Sequence, residues 1–169
     1  QDYPDAVAEI GLAYIRYHGV KKGNEKGIEY LNKAINLGSS SAMFYKGMYL
    51  VVGQLENGDD FTKDFDQGFE LINQAADLEN PDALASLSGL YANGDLGLEK
   101  NEELAFQYAK RAADVGYTFA KSMLGDYYKN GIGVDKYLEK AFKFHLEAAK
   151  KGNSFAQFAL YQYYSDSDS

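Results

Sequence analysis

Residues 120–152 read Ala-Lys-Ser-Met-Leu-Gly-Asp-Tyr-Tyr-Lys-Asn-Gly-Ile-Gly-Val-Asp-Lys-Tyr-Leu-Glu-Lys-Ala-Phe-Lys-Phe-His-Leu-Glu-Ala-Ala-Lys-Lys-Gly. Ala120, Leu124 and Tyr128 recur every four residues, which puts them on one face of a helix. Gly131 and Gly133 break that helix. A second helix carries Ala141, Phe144, Ala148 and Ala149 and stops at Gly152.

The same unit recurs along the chain. Aligned on the small residue that opens each first helix, the copies begin at Ala6, Ala42, Ala83, Ala120 and Ala156, separated by 36, 41, 37 and 36 residues. Four positions on stand Ile10, Lys46, Leu87, Leu124 and Leu160. The next position, mostly small, holds Gly11, Gly47, Ser88, Gly125 and Tyr161. Three further come Tyr14, Leu50, Tyr91, Tyr128 and Tyr164. The second helices align as well: Gly27, Gly68, Ala105 and Ala141 are each followed three residues later by Tyr30, Leu71, Tyr108 and Phe144. Ala34, Ala75, Ala112 and Ala148 come next, then Gly38, Glu79, Gly116 and Gly152. A Gly inside a helix costs about 1 kcal/mol against Ala, and close approach of the two backbones is the expected compensation. Periodicity of this kind predicts an all-α array of two-helix units.

The pattern Ala-x3-Leu-Gly-x2-Tyr-x2-Gly, then Gly-x-Gly-Val, then Lys-Ala-x6-Ala-Ala-x2-Gly resembles the Sel1-like repeat, a relative of the tetratricopeptide repeat. The unit from Ala120 matches it nearly throughout, including Gly131, Gly133, Val134, Lys140 and Ala141. The resemblance implies an α-solenoid of antiparallel helix pairs in a right-handed superhelix, with first helices lining the concave face. Members of the family usually act as adaptors or scaffolds, and many are bacterial. On this reading the chain is a single repeat domain with units at about 5–38, 41–79, 82–116 and 119–152, a terminal capping helix at 153–164 and a disordered tail at 165–169.

The second unit departs most from the pattern. Lys46 stands where the motif has leucine, so either the unit is shifted or the aliphatic stem of Lys46 bends inward. The connection Gly53 to Lys63 holds the extra residues of this unit. Asp64 and Asn101 are predicted N-caps. Tyr161 replaces the packing glycine in the last helix, which no second helix follows.

Composition excludes several functions. With no cysteine and two histidines, thiolate and histidine-rich metal sites are unavailable. No apolar run approaches membrane-spanning length. A net charge of −8 disfavours nucleic acid and anionic membranes. Between Gln54 and Asp82, nine acids face a single base, Lys63, so this segment carries a charge equal to that of the whole chain. The chain opens on Gln1 without an initiator methionine, and an exported, processed form is the expectation.

No enzyme, cofactor or metal is expected. His145, beside Phe144 on a second helix, reads as a packing or surface residue, and His18 reads as a turn residue. No nucleophile motif or phosphate loop is present. The acids around Asn57-Gly-Asp-Asp and Asp64-Phe-Asp do not follow calcium-loop spacing. They read as a solvated loop, or, through Glu56, Asp59, Asp60, Asp64 and Asp66, as a docking segment for a basic partner. By analogy with tetratricopeptide repeats, the concave positions lie two, six and nine residues after each opening alanine. They select Leu12, Ile15, Phe44, Met48, Val51, Asp126 and Lys129 as candidate partner-binding residues, with Phe44 and Met48 as anchors. The functional expectation is a protein- or peptide-binding scaffold acting through this groove. The rival is an immunity-type protein that blocks a partner enzyme.

Overall fold

The structure, a computed structural model, describes residues 3–18, 21–56 and 58–165. Its described residues form α-helices joined by turns, with a single isolated antiparallel bridge, Gln54 to Asp60. They pack as two compact units, residues 1–83 and 84–169. The first holds α1 (Pro4–His18), α2 (Lys21–Asn36), α3 (Ser40–Val52) and α4 (Phe65–Asp77). The second takes in nearly all of α5 (Pro81–Asn93), then α6 (Glu102–Asp114), α7 (Thr118–Asn130), α8 (Leu138–Lys150) and α9 (Ser154–Ser165). Among the described residues, no helix is long and apolar enough to cross a membrane.

The recurring small residues are where paired helices touch. A Cβ added at Gly11 would lie 2.8 Å from the carbonyl oxygen of Gly27, and one at Gly27 would lie 2.8 Å from that of Gly11. Gly47 and Gly68 repeat the contact at 2.7 Å in both directions. In the third unit Ser88 stands in for the glycine, and its buried hydroxyl donates to the Ala105 carbonyl oxygen at 2.8 Å. In the fourth, the space above Gly125 is filled by the fully buried ring of His145.

The aromatic positions of the repeat stack in pairs. Tyr14 lies on Tyr30, Tyr91 on Tyr108 and Tyr128 on Phe144, with ring centroids 5.6, 5.8 and 5.7 Å apart and planes within 10° of parallel. All six rings are half-buried. They seal the edge of each helix pair rather than filling its centre. The ammonium groups of Lys26 and Lys140 sit 5.2 and 5.1 Å from the Tyr14 and Tyr128 ring centres, a cation–π contact.

Helix ends follow simple rules. Asp64 and Asn101 cap α4 and α6 as predicted, accepting from the backbone N–H of Gln67 and Leu104 at 3.0 Å each. Ser39, Asn80 and Asn153 cap α3, α5 and α9 in the same way. The second helices close with a left-handed residue, Gly38, Gly116 or Gly152, where glycine avoids the Cβ clash. In the second unit that place is taken by Glu79 at φ 57°. Helix α9 runs through Ser165, one residue into the segment expected to be a tail, and residues 166–169 lie outside the described residues. His18 is the last residue of α1 rather than a turn residue, and its side chain lies outside the described residues.

The connection from 53 to 63 is not a bare solvated loop. Phe61 N–H donates to the Gly53 carbonyl and Leu55 N–H to that of Asp59, at 3.0 and 2.9 Å. Leu55 is buried, and Phe61 packs beside it against the core formed by Val7, Leu12, Ile15, Leu31 and Tyr49.

Candidate functional site

The first helices present the predicted binding residues, and packing sorts them. Leu12, Ile15 and Val51 are corrected: all three are buried and cannot meet a partner. The reason lies in the glycine pairs. Ile15 and Val51 fill the notches over Gly27 and Gly68, each with a methyl or methylene within 3 Å of where a Cβ would stand. They therefore face their own second helix. Leu12 belongs to the interior cluster of the first unit.

Phe44 and Met48 remain together on α3. With Tyr45, Tyr49, Val52 and Leu55 they line an open, mainly apolar groove of about 420 Å³. Phe44 is nearly buried and forms its floor, Met48 is half-exposed, and Val52 at its rim is 52% exposed. The Phe44 and Tyr45 rings meet edge to face at 5.3 Å. Tyr49 has its hydroxyl buried with no hydrogen-bond partner, and burial, with the Glu56 carboxylate nearby, raises its pKa.

The acidic segment divides in two. Arg16 on α1 grips Glu56 with two donors, Nε to Oε2 at 2.6 Å and the second guanidinium nitrogen to Oε1 at 3.2 Å. This pairing keeps the Arg16 pKa above its ordinary value. Asn24 on α2 donates to Asp59 at 2.6 Å, and Asp64 is the α4 cap. Glu56 and Asp59 thus hold the connection against α1 and α2, while Asp64 fixes the start of α4. Asp60 and Asp66 are exposed.

Asp126 and Lys129 lie on α7 beside α9. Asp126 Oδ1 is 3.3 Å from His145 Nε2, but out of line for a hydrogen bond, and neither ring nitrogen has one. Lys129 donates to Gln162 at 3.4 Å, and its ammonium sits 5.2 Å from the Tyr163 ring centre. The residues that the sequence reading missed are Tyr45, Tyr49, Val52 and Leu55. The last two depend on how the chain leaves α3, for which no repeat position gives a signal. Lys46, flagged as a departure, lines a separate groove between α2, α3 and α4 and donates from Nζ to Asn32 Oδ1 at 2.7 Å.

Comparison with known proteins accounts for this architecture. The solved structure of a Sel1 repeat protein from Oxalobacter formigenes superposes with a TM-score of 0.78 and 30% identity, over 92% of this chain and 61% of that one. A protective antigen of uropathogenic Escherichia coli strains with an SLR fold gives 0.75 and 28%, over 94% of this chain and 32% of that one. The cytochrome c oxidase assembly factor 7 homolog of Drosophila melanogaster is 43% identical over 53 residues, 31% of this chain and 20% of that protein. The chain thus spans less than two thirds of each of these relatives. The fold is an α-solenoid of helix pairs, and proteins built from such repeats are typically non-enzymatic scaffolds that mediate protein–protein interaction. The Sel1 repeat model matches four consecutive stretches, residues 6–39, 42–80, 81–117 and 118–153, and the chain belongs to the Sel1 repeat family.

Proposed function

We propose that this chain is an adaptor that holds an apolar segment of a partner protein in the groove beside α3, with Met48 and Val52 as its contact residues and Phe44 as its floor. The observation that carries the reading is the open groove in which the half-exposed Met48 and the exposed Val52 stand over the Phe44 floor, since apolar side chains clustered on an open surface mark interaction sites. Asp60 and Asp66 favour a partner with basic residues flanking its apolar segment, because exposed charges steer encounter more than they hold the complex. The blocking role is the weaker reading. It calls for a broad acidic face, and Glu56, Asp59 and Asp64 are engaged within the molecule.

The test is site-specific photo-crosslinking in the native source. A photoreactive phenylalanine analogue replaces Val52 in one variant and Glu103, on the exposed side of α6, in another. A discrete adduct from position 52 that is absent from position 103, and that Met48→Asp abolishes, supports the groove. Equal adducts from both positions, or adducts from 103 alone, exclude it.

A further inference from the structure

Lys46 and Met48 are two residues apart on α3, so their side chains leave the helix about 200° apart. Lys46 therefore serves a different groove from the apolar one. That groove measures about 450 Å³ and is walled by Asn32 and Asn36 of α2 and by Gln67, Glu70 and Gln74 of α4, with Ile35 and Leu71 between them. The repeat supplies its own reference. At the same place in the fourth unit stands Leu124, in a groove of about 220 Å³ lined by Phe106, Tyr128 and Phe144 and by the charged Lys110, Asp114 and Lys121. The leucine itself is buried there. The groove around Lys46 is about twice as large, and its polar wall is mostly amides where the fourth unit has Lys110, Asp114 and Lys121.

The Lys46 ammonium is partly buried, and burial lowers its pKa. Its single hydrogen bond goes to Asn32 Oδ1, and no carboxylate pairs with it among the described residues. An ammonium has three donors, so two remain for a ligand. Glu70 is the one acid among the residues lining the groove, and it accepts from Gln74 Nε2 at 3.1 Å. A partly desolvated cation satisfied by one neutral oxygen is a poor choice for holding helices together. Every other unit carries Ile or Leu here: Ile10, Leu87, Leu124 and Leu160.

We propose that this groove binds an extended peptide segment of a partner through one carboxylate side chain, which Lys46 receives, while the amides of Asn32, Asn36, Gln67 and Gln74 meet the peptide backbone. A side-chain amide both donates and accepts, which suits a backbone that presents N–H and C=O groups in alternation. A carboxylate forms a short, charge-assisted bond with the ammonium. Glu70 and the acidic character of residues 54–82 repel a phosphate dianion more strongly than a single carboxylate.

The experiment titrates the full chain, with its Asn and Gln side-chain amides ¹⁵N-labelled, with four probes. These are Ac-Ala-Ala-Glu-Ala-Ala-NH2, the same peptide with Gln for Glu, the all-alanine peptide with a free C-terminal carboxylate, and inorganic phosphate. Lys46→Met keeps the stem and removes the charge, and Met48→Ala is the control for the apolar groove. Saturable shifts of the Asn32, Asn36, Gln67 and Gln74 amides are expected with the Glu peptide. Binding should weaken at least tenfold for the Gln peptide and for Lys46→Met, and Met48→Ala should leave it unchanged. Lys46→Met should melt no lower than the wild-type chain. Absence of saturable shifts with the Glu peptide overturns the proposal, as do shifts that survive Lys46→Met. Phosphate or the free C-terminus binding as well as the Glu peptide overturns the assignment to a carboxylate side chain. A lower melting temperature for Lys46→Met without peptide binding makes Lys46 a structural bridge to Asn32. Crosslinking from Val52 reads the other groove, so either idea can fail without the other.

Discussion

Gly125 tests whether the recurring small residue of the first helix is a packing requirement. A Cβ at this position would stand 2.4 Å from both Cδ2 and Nε2 of His145. Ordinary carbon contacts lie at about 3.5–4.0 Å, so Gly125→Ala has to open the site by more than 1 Å. His145 has little room to yield. Its ring is fully buried, with Tyr163 at 5.8 Å and the Phe142–Tyr163 pair beyond. Overpacking costs about 1–3 kcal/mol. A clash more than 1 Å deep against a fully buried ring takes the upper part of that range, about 2–3 kcal/mol, of which alanine's better helix propensity returns about 1. A net loss of about 1–2 kcal/mol should lower the melting temperature by roughly 2–8 °C for a chain of this size. The control is Gly89 in α5, where an added Cβ meets nothing within 4 Å. Gly89→Ala should stabilise by about 1 kcal/mol through propensity alone. Thermal and denaturant unfolding of both variants give the signs directly. His145→Ala adds the mechanism: removing the ring removes the clash, so the Gly125→Ala/His145→Ala double variant should lose at least about 1 kcal/mol less than the sum of the singles. If Gly125→Ala melts at or above the wild-type temperature, or if the two effects simply add, the packing argument is wrong.

Two further outcomes are expected. Asp64→Ala and Asn101→Ala each remove one capping bond, and urea unfolding should show a loss of about 1 kcal/mol apiece; a change below a few tenths would mean that water replaces the cap without penalty. The Lys121–Glu147 pair, at 2.6 Å, holds the Glu147 pKa below its ordinary value, chiefly through the hydrogen bond. A depressed carboxylate pKa contributes stability that is present above the unfolded-state value and lost as pH falls through the folded-state value. Lys121→Gln should therefore cost a fraction of 1 kcal/mol at neutral pH, because both groups are partly exposed. The difference from wild type should vanish once the medium is well below the carboxylate range, and a difference that persists in acid would show that the lysine stem, rather than the charge, is what matters.

Much of this protein was legible before any coordinates. The helix pairs follow from spacing, because a 3.6-residue period leaves Ala120, Leu124 and Tyr128 no other common face. The caps at Asp64 and Asn101 follow from side-chain chemistry, and the glycine pairs follow from the need for close approach. Each depends on residues near in sequence or held at a repeated offset, so a local rule suffices. What faces the solvent was not legible. A first helix in such an array is covered by its own second helix and by its neighbours. Its apolar arc is therefore wide, and periodicity cannot say which part of it stays open. Ile15 and Val51 are apolar and correctly spaced for a groove, yet they drop into the notches over Gly27 and Gly68, while Met48, three residues before Val51, stays half-exposed. The 53–63 connection shows the same limit. Its acids read as a free charged loop, but Arg16 and Asn24, far away in the chain, turn two of them into tethers. The repeat determined which residues pair and where the helices end. Only tertiary packing decided which apolar side chains remain open and which charges already have partners, because both depend on groups that local sequence does not place.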